Sequence, residues 1–404
     1  MKILIVAGWV YPDQEGGSFR VVYEAGRRLA ARGHQVHVVT RRLDERHPER
    51  ETIEGMAVHR YTTSAPSGLR FYTSAFREVR RLADRLQGEL GFDVLHTHHP
   101  VSAFAALHAR GLGGVPCVAI LHSIYYLEYL DRHTYSARRD APRALAIWRV
   151  PVAAALRWID GSNLRRSRSI VALSGFTRSL VARHFPDCLP RLVKLPGGAD
   201  LGRFRADLPR SEARQSLGLP LGKPIFFTCR RLEHRMGLAE LIGAAERLRD
   251  DGRDALVLIA GRGALADALA RRIEAAGLAG TVRLLGYVPE ERLPRYYRAA
   301  DCFVLPTRAL EGFGLVTAEA FACGTPVLGT PVGATPELIE PFDPRLLTPD
   351  ATAEGLFRGM ARFLDEVAGE EGLSERCRAY AEAHFSWDSF AQGLETVSRE
   401  AVEH

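Results

Sequence analysis

Residues 306–319 have the sequence PTRALEGFGLVTAE and directly follow the apolar run Asp301–Leu305. The run predicts a β-strand, the two glycines predict a tight turn, and the residues from Leu315 onward predict a helix. The same order appears at the start of the chain, where the apolar run Lys2–Ala7 precedes a glycine pair and the amphipathic stretch Ser18–Arg32. Repeated alternation of strand, glycine-rich turn and helix favours α/β domains with parallel sheets.

The chain of 404 residues is longer than a usual single domain. Its segment 195–200, LPGGAD, disfavours both helix and strand and predicts the link between two halves. We therefore expect a first domain at 1–197, a second domain at 198–385, and a final helix at 386–404 that returns to the first domain. The predicted strands are Lys2–Ala7, Gln35–Thr40, Val94–Thr97, Val115–Leu121, Ser169–Leu173, Leu192–Leu195, Pro224–Cys229, Ala255–Ala260, Val282–Leu284, Asp301–Leu305 and Pro326–Leu328.

The composition indicates a large hydrophobic core, with 46% hydrophobic residues, yet no apolar stretch reaches the roughly 18 residues of a membrane-spanning helix. The amino-terminal apolar run is too short for a secretion signal, so we expect a cytoplasmic protein. Six cysteines are scattered without a C-x-x-C pair, which argues against a disulfide framework and against a cysteine zinc site.

The net charge of +6 hides an asymmetry: residues 1–205 carry 31 Lys and Arg against 18 Asp and Glu, whereas residues 206–404 carry 23 against 30. A basic first half fits an anionic acceptor or peripheral contact with the inner face of a membrane, but arginine-rich solvated helices have the same composition. Without a recognisable nucleic-acid recognition module, we expect no nucleic-acid partner. The arginines considered for an anionic acceptor or for lipid headgroups are Arg138, Arg139, Arg143, Arg165, Arg166 and Arg168.

Two carboxylates, Glu311 and Glu319, belong to the segment 306–319. Backbone N–H groups at a helix start can bind a diphosphate, because they lack intrahelical partners and the helix dipole favours an anion. Glu311 precedes the turn and Glu319 lies one to two turns into the helix, so the two carboxylates face different parts of one ligand. Carboxylates accept hydrogen bonds from sugar hydroxyls, here one of a hexose and one of a ribose.

The spacing of Glu311 and Glu319 resembles the E-x7-E signature of the family 4 glycosyltransferases, which are retaining enzymes of the GT-B architecture. Similar surroundings extend over essentially the whole chain, at Gly16-Gly17, Gly33–Val36, Pro196–Phe204, Leu258–Gly263 and Ala299–Pro306. The resemblance implies two Rossmann-like domains with parallel sheets that face a central cleft. It further implies that the first domain binds the acceptor and the second the nucleotide sugar.

The segment 230–238, RRLEHRMGL, departs from the family pattern at one position. The family places an arginine and, five residues later, a lysine on the donor diphosphate, where fixed cations stabilise the leaving group. Arg231 matches the arginine, but Met236 stands where lysine is usual. Arg235 is our candidate for the missing cation, and a plain surface charge is the alternative.

Further site residues follow from the resemblance. His122 ends a predicted strand and corresponds to a histidine near the reacting sugar and the leaving phosphate. The expected catalytic residues are His122, Glu311, Arg231 and Arg235. The expected donor contacts are Gly16, Gly17, Arg231, Arg235, Gly261, Glu311, Gly312, Phe313, Gly314, Leu315 and Glu319.

Candidate acceptor contacts lie in the first half of the chain. Tyr125 and Tyr126 can stack on a sugar or on an apolar acceptor, but they suit the core side of an amphipathic helix equally well. Ser174 is either a cleft hydroxyl or the N-cap of the following helix. His98 follows a predicted strand, and we expect it to face the cleft.

The sequence thus predicts a retaining glycosyltransferase that moves a hexosyl unit from a UDP- or GDP-type sugar to a small-molecule, glycan or lipid-linked acceptor. By family analogy the acceptor attacks from the front face, forming an α-glycosidic bond. We expect no tightly bound cofactor and no metal, because no acidic pair joins the cluster of His96, His98 and His99. The alternatives are a sugar-nucleotide epimerase on the same architecture and a nucleotide-binding protein whose site has decayed at Met236.

Overall fold

The structure, a computed structural model, describes residues 1–65, 68–136, 139–142 and 149–403, with the backbone alone for 134–136 and 139–142. The described residues divide into two compact units, and one of the boundaries between them lies at the predicted link, between Gly197 and Gly198. The first unit comprises residues 1–65, 68–130, 149–197 and 387–403, and the second comprises 131–136, 139–142 and 198–386.

The first unit is built on an eight-stranded sheet, and its strands predicted from the sequence are confirmed to within two residues. In chain order the strands up to residue 194 are β1 Lys2–Val6, β2 Gln35–Arg41, β3 Arg50–Ile53, β4 Met56–Tyr61, β5 Val94–Thr97, β6 Cys117–Leu121, the separate hairpin β7 Tyr135–Ser136 and β8 Arg139–Pro142, then β9 Ser169–Ala172 and β10 Leu192–Lys194. The sheet order is β10-β9-β6-β5-β1-β2-β4-β3, and all neighbours pair in parallel except β3 with β4.

The hairpin of β3 and β4 was not predicted from the sequence. Glu54 and Gly55 form its two-residue turn with φ values of 47° and 80°. Two consecutive positive φ values match the twist of a tight hairpin, but a glutamate at the first position is a weak signal for such a turn. Strand β3 also carries the charged residues Arg50 and Glu51, as edge strands often do, so it lacks an apolar run.

The second unit is built on a five-stranded parallel sheet, and all five of its predicted strands are confirmed. They are β11 Ile225–Cys229, β12 Leu256–Ala260, β13 Val282–Gly286, β14 Cys302–Leu305 and β15 Val327–Gly329. The order β13-β12-β11-β14-β15 reverses direction between β11 and β14. In doubly wound sheets, ligands bind outside the carboxyl ends of the strands at such a switch point.

Helices connect the strands and cover the sheets. They are α1 Gly17–Ala31, α2 Gly68–Leu90, α3 Pro100–Leu107, α4 Tyr125–Thr134, α5 Val150–Arg166, α6 Gly175–His184, α7 Arg210–Leu217, α8 Leu238–Asp250, α9 Ala266–Ala275, α10 Leu293–Ala299, α11 Leu315–Ala322, α12 Thr335–Ile339, α13 Ala353–Arg362, α14 Leu373–His384 and α15 Trp387–Glu403. Among the described residues, no helix has both the length and the apolar character needed to cross a bilayer.

Helix α15 packs against the first unit, as the sequence predicts. Its Trp387 is 2% exposed. Its Asp388 accepts a hydrogen bond from Arg28 Nε on α1 over 2.9 Å, and its Ser398 Oγ lies 2.8 Å from His96 Nε2 at the end of β5. The last helix is therefore part of the core of the unit that begins the chain.

Candidate active site

Loops from the carboxyl ends of neighbouring strands meet in the second unit. The loop after β14 donates from the Arg308 amide to the Arg235 carbonyl in the loop after β11, over 2.8 Å. The loop after β15 donates from the Ala334 amide to the Glu311 carbonyl, over 2.9 Å. These backbone bonds hold the loops of the predicted donor site in a fixed arrangement.

Glu311 is the buried carboxylate of this arrangement, with 7% of its surface exposed. The Arg230 guanidinium and the Thr307 hydroxyl both donate to its Oε2 atom, the hydroxyl over 2.8 Å. Burial alone raises the pKa of Glu311, but the Arg230 charge and the hydrogen bonds outweigh burial and hold the pKa below its usual value. Glu311 is therefore an ionised acceptor at neutral pH, and no described residue hydrogen-bonds to its Oε1 atom.

Helix α11 begins at Leu315, directly after Gly314, as predicted. Gly314 has a φ of 84°, a left-handed conformation that favours glycine. Within the described part of the chain no side chain caps α11, and its first turn holds no acidic residue. Such a helix start offers backbone N–H groups to an anionic ligand.

Glu319 lies on α11, facing a buried tyrosine. The hydroxyl of Tyr297 donates to Glu319 Oε2 over 2.8 Å. Burial first, and then the Glu319 charge, raise the pKa of Tyr297 well above its usual value, so the tyrosine stays a hydrogen-bond donor. The Tyr297 bond fixes the orientation of the Glu319 carboxylate.

The loop after β11 carries the cations predicted for the diphosphate. The side chain of Arg231 is 56% exposed and lies 3.2 Å from the Glu233 carboxylate. Arg235 Nη1 donates to the Leu310 carbonyl, directly before Glu311, over 3.1 Å. Met236 is 5% exposed, so an apolar side chain fills the position where the family usually has lysine.

Gly261, a predicted donor contact, follows β12 with a φ of 135°. A Cβ atom there would lie 1.8 Å from the Arg230 carbonyl oxygen, so only glycine fits. The position thus serves loop packing, whereas a contact with the donor stays a prediction. Gly333, after β15, similarly approaches the Glu311 backbone, where a Cβ atom would meet the carbonyl oxygen at 2.4 Å.

In the first unit, His98 and His122 lie side by side after β5 and β6. His98 Nδ1 is 3.2 Å from His122 Nε2, and the rings stack with centroids 5.4 Å apart. Burial, reinforced by neighbouring imidazoles, lowers the pKa of His122 to about 4 and that of His98 well below its usual value. Both rings are neutral at pH 7, so His122 can exchange hydrogen bonds but supplies no fixed positive charge.

Gly16 and Gly17 stand at the start of α1, where the sequence places them. Gly16 has a φ of 150°, and a Cβ atom there would lie 3.1 Å from the ring of Phe19. Neither a side-chain cap nor an acidic residue occupies the first turn of α1, which lies wholly in the described residues. A backbone approach to phosphate at this helix start stays a prediction.

The three remaining acceptor candidates differ in their surroundings. Tyr126 is 6% exposed, and its hydroxyl lies 2.6 Å from His184 Nδ1. Of the two interpretations from the sequence, acceptor stacking and core packing, its burial favours core packing. Tyr125 is half-buried, and its ring meets that of His99 edge to face with the centroids 5.4 Å apart. Ser174 is the N-cap of α6, since its hydroxyl accepts a hydrogen bond from the Thr177 amide over 3.1 Å.

Two of the three clustered histidines that suggest a metal site from the sequence have other hydrogen-bond partners. His96 is fully buried and bonded to Ser398, and His98 is bonded to His122. In the described ranges no group of three or more His, Cys, Asp or Glu side chains is placed to hold a metal ion. Metal independence of the reaction stays a prediction.

Sequence reasoning missed Arg230 and Thr307. The side chain of Arg230 is 6% exposed and Thr307 is fully buried, and both contact Glu311. The available signal was the Arg-Arg pair at the end of a strand, since two successive side chains there point to opposite faces of the sheet and meet different neighbours.

Comparisons with known proteins find similar sequences and similar folds. Family models for glycosyl transferases group 1 and for glycosyltransferase family 4 match residues 209–384 and 15–203. The chain is 32% identical to a D-inositol 3-phosphate glycosyltransferase of Arthrobacter sp. (strain FB24), over 93% of this chain and 88% of that one. Its fold is similar to sucrose-phosphate synthase from Thermosynechococcus elongatus (TM-score 0.81, 23% identity, 99% of both chains) and to Anabaena HepE in complex with UDP and glucose (TM-score 0.73, 19% identity, 98% of both chains).

The chain belongs to the family 4 glycosyltransferases. It is an enzyme of the GT-B type, built from two α/β units with parallel sheets. The comparisons give the epimerase alternative no support.

Proposed function

We propose that the protein transfers a hexosyl unit from a nucleoside diphosphate sugar to an acceptor with retention of configuration. The observation that carries the proposal is Glu311, a buried and ionised carboxylate with one oxygen unengaged, directly before the glycine turn that starts α11. An ionised acceptor beside a helix start suits a ligand that combines hydroxyls with a diphosphate. The structural relative in complex with UDP and glucose supports the same ligand class.

The donor roles follow the sequence expectations. Glu319 binds the ribose, with one oxygen held by Tyr297. Arg231 and Arg235 bind the diphosphate, and the backbone of residues 312–315 binds the hexose together with Glu311. Arginine suits this task because its planar fork matches phosphate oxygens.

The first unit holds the acceptor in this proposal. Gly16 and Gly17 approach phosphate with their backbone, and the neutral His122 hydrogen-bonds near the reacting centre. His98 and Tyr125 contact the acceptor. Tyr126 and Ser174 are buried and pack behind the residues that contact it. The arginine-rich composition of residues 1–205 supports a phosphorylated acceptor, and the relative named for D-inositol 3-phosphate belongs to that class.

Retention requires attack on the same face that the leaving group occupies. The acceptor oxygen forms a bond to the anomeric carbon while the bond from that carbon to the diphosphate oxygen breaks. The acceptor proton passes to a leaving-phosphate oxygen, so the products are the α-glycoside and the nucleoside diphosphate. Fixed cations at the diphosphate favour this step because negative charge develops there.

The test is a thermal-shift panel of UDP, GDP, ADP and TDP sugars with and without EDTA, followed by transfer to a set of sugar and polyol phosphates. A nucleotide at 100 times its Kd adds about 2.7 kcal/mol to the unfolding free energy. We expect one base to stabilise the protein independently of EDTA, and NMR of the product to show an α-linkage. Inverted product, or donor conversion without acceptor, would contradict the proposal, and binding without any turnover would favour the decayed-site alternative.

Replacing Glu319 by alanine should chiefly weaken donor binding. We expect the Kd of the nucleoside diphosphate to rise by about 10- to 150-fold, since a hydrogen bond to a charged group contributes about 1.5–3 kcal/mol, while kcat at saturating donor changes little. Isothermal titration and steady-state kinetics measure the two effects. The matched control is Glu274→Ala on the exposed surface of α9, and an unchanged Kd in Glu319→Ala would refute the ribose role.

We also propose a cytoplasmic location with peripheral contact to anionic membrane through α5. Val150, Val152 and Trp158 on this helix are 51%, 40% and 61% exposed, and the exposed Arg157 lies beside Trp158. Exposed apolar side chains next to arginine suit an anionic bilayer surface. Of the arginines considered from the sequence, Arg138 and Arg143 lie outside the described residues, and only the backbone of Arg139 is described.

The membrane proposal predicts that Trp158→Ser lowers binding to anionic phosphatidylglycerol vesicles by at least about 10-fold, because it removes a large exposed apolar side chain. Co-sedimentation measures the bound fraction. Leu221→Ser, at a residue 53% exposed on the second unit, is the control and should bind like the unchanged protein. Equal binding by both variants would exclude α5 as the contact.

A further inference from the structure

Arg230 is held rigidly at the end of β11. Its amide donates to the Ala260 carbonyl over 3.0 Å, which continues the ladder between β11 and β12 by one residue. Its carbonyl oxygen faces Gly261, where no Cβ atom fits. Because its amide and its carbonyl are both fixed, the backbone of Arg230 sets the direction of its side chain. The side chain is 6% exposed.

The guanidinium completes a closed triangle of hydrogen bonds. Arg230 Nη1 donates to the Thr307 hydroxyl over 2.8 Å, and Arg230 Nη2 donates to Glu311 Oε2. Thr307 in turn donates to the same Oε2 atom over 2.8 Å. The three hydrogen bonds are compatible with one another, because the Thr307 hydroxyl can accept from Arg230 and donate to Glu311 at the same time.

The triangle leaves one carboxylate oxygen for a ligand. Both bonds end on Oε2, so the carboxylate cannot rotate without breaking them, and Oε1 has no hydrogen-bond partner among the described residues. We propose that Arg230 is a positioning residue, which fixes Oε2 of Glu311 so that Oε1 stays available to a hydroxyl of the donor sugar. The inference rests on the proposed function and adds a residue to it.

The other cations of this loop do not share the task. Arg231 is mainly exposed beside Glu233, and Arg235 donates to the Leu310 carbonyl. Met236, at the usual lysine position, brings no charge. Arg230 is therefore the residue of the RRLEHRMGL segment whose side chain bonds directly to the Glu311 carboxylate.

The arrangement has a consequence for pH. Among the described residues, Arg230 and Arg235 are the charged groups that lower the pKa of Glu311, and the loop 330–334 packed on its backbone carries no charged side chain. Loss of Arg230 removes the largest interaction that opposes burial, so we expect the pKa of Glu311 to rise in its absence. Activity that needs the ionised carboxylate is lost as the pH falls through that pKa, so the acid limb moves to higher pH.

The experiment compares Arg230→Gln and Arg230→Lys with Arg271→Gln, an exposed control on α9. We compare kcat/KM at pH 8 with kcat/KM at pH 6 for each protein. We expect this ratio to be at least 10-fold larger for Arg230→Gln than for the unchanged protein. Arg230→Lys should keep the original pH profile at reduced kcat, because it retains the charge but loses the fork. The control should match the unchanged protein throughout.

Unfolding in denaturant gives a second readout that needs no donor. Relative to the unchanged protein, Arg230→Gln should gain unfolding free energy as the pH falls from 8 to 5, because a raised folded pKa favours the protonated state. Adding Glu311→Gln to Arg230→Gln should abolish this gain. Absence of the gain would overturn the proposal.

The outcomes separate this inference from the proposed function. A uniform loss of kcat/KM in Arg230→Gln, parallel to the original profile at every pH, would reduce Arg230 to a purely structural residue and overturn the inference. Absence of transfer by the unchanged protein from every donor would overturn the proposed function, together with the assignment of Oε1 to a sugar.

Discussion

Replacement of Glu311 by glutamine should lower kcat/KM by about 100- to 1000-fold, the range found when one preorganised hydrogen-bonding group is removed from an active site. The amide keeps the size of the side chain but loses the negative charge and presents N–H groups in place of one oxygen. Steady-state kinetics at saturating donor measure the effect, and we expect it mainly in kcat.

The same variant should also lose stability. Its buried Arg230 guanidinium, with 6% side-chain exposure, would keep its charge without a carboxylate partner. Removing one member of a buried ion pair costs about 3–5 kcal/mol. Glu274→Gln makes the same chemical change at an exposed position and should alter neither property. Near-normal kcat/KM in a folded Glu311→Gln protein would contradict the role of this carboxylate.

Replacement of Gly237 by alanine should unfold or severely loosen the second unit. Gly237 has a φ of 70°, and a Cβ atom there would lie 1.6 Å from the Pro306 carbonyl oxygen. The loops after β11 and β14 would have to separate, which disrupts the backbone bond between Arg235 and Arg308. We expect a loss of at least about 3–4 kcal/mol in unfolding free energy, the scale of mutations that strain a packed backbone.

Gly252→Ala is the matched control for this prediction. Gly252 has a similar φ of 75°, but no atom lies within 4 Å of its Cβ position. The variant therefore isolates the conformational penalty of a left-handed residue, about 1–2 kcal/mol. Denaturant unfolding of both variants measures the difference. Equal losses in Gly237→Ala and Gly252→Ala would show that the close approach to Pro306 contributes nothing.

The buried strands of this fold are predictable from sequence because each is a short apolar run bounded by turn residues. β1 and β12 illustrate the case, as their central residues are fully buried. The hairpin of β3 and β4 is not predictable in this way, because its edge strand is charged and its turn begins with Glu54. Tertiary context, rather than an apolar pattern, stabilises such an edge.

The candidate site was predictable where spacing along one segment fixes geometry. Gly314, Leu315 and Glu319 belong to one turn and one helix, so their order in the sequence gives their order in space. Arg230 belongs to another strand, and its contact with Glu311 depends on the neighbouring position of β11 and β14 in the sheet. Local sequence does not determine which strands pair. The structure was therefore needed to decide whether Arg230 or Arg231 contacts Glu311.

The packing of α15 on the first unit has a consequence for biosynthesis. The ribosome makes roughly 190 further residues after Gly197 before it reaches Trp387. At about 5–20 residues per second, the nascent first unit waits some 10–40 s for the helix that completes its core. During this interval the surfaces that later contact Trp387 and Ser398 lack their helix, and exposed apolar surface of this kind favours aggregation of a growing chain.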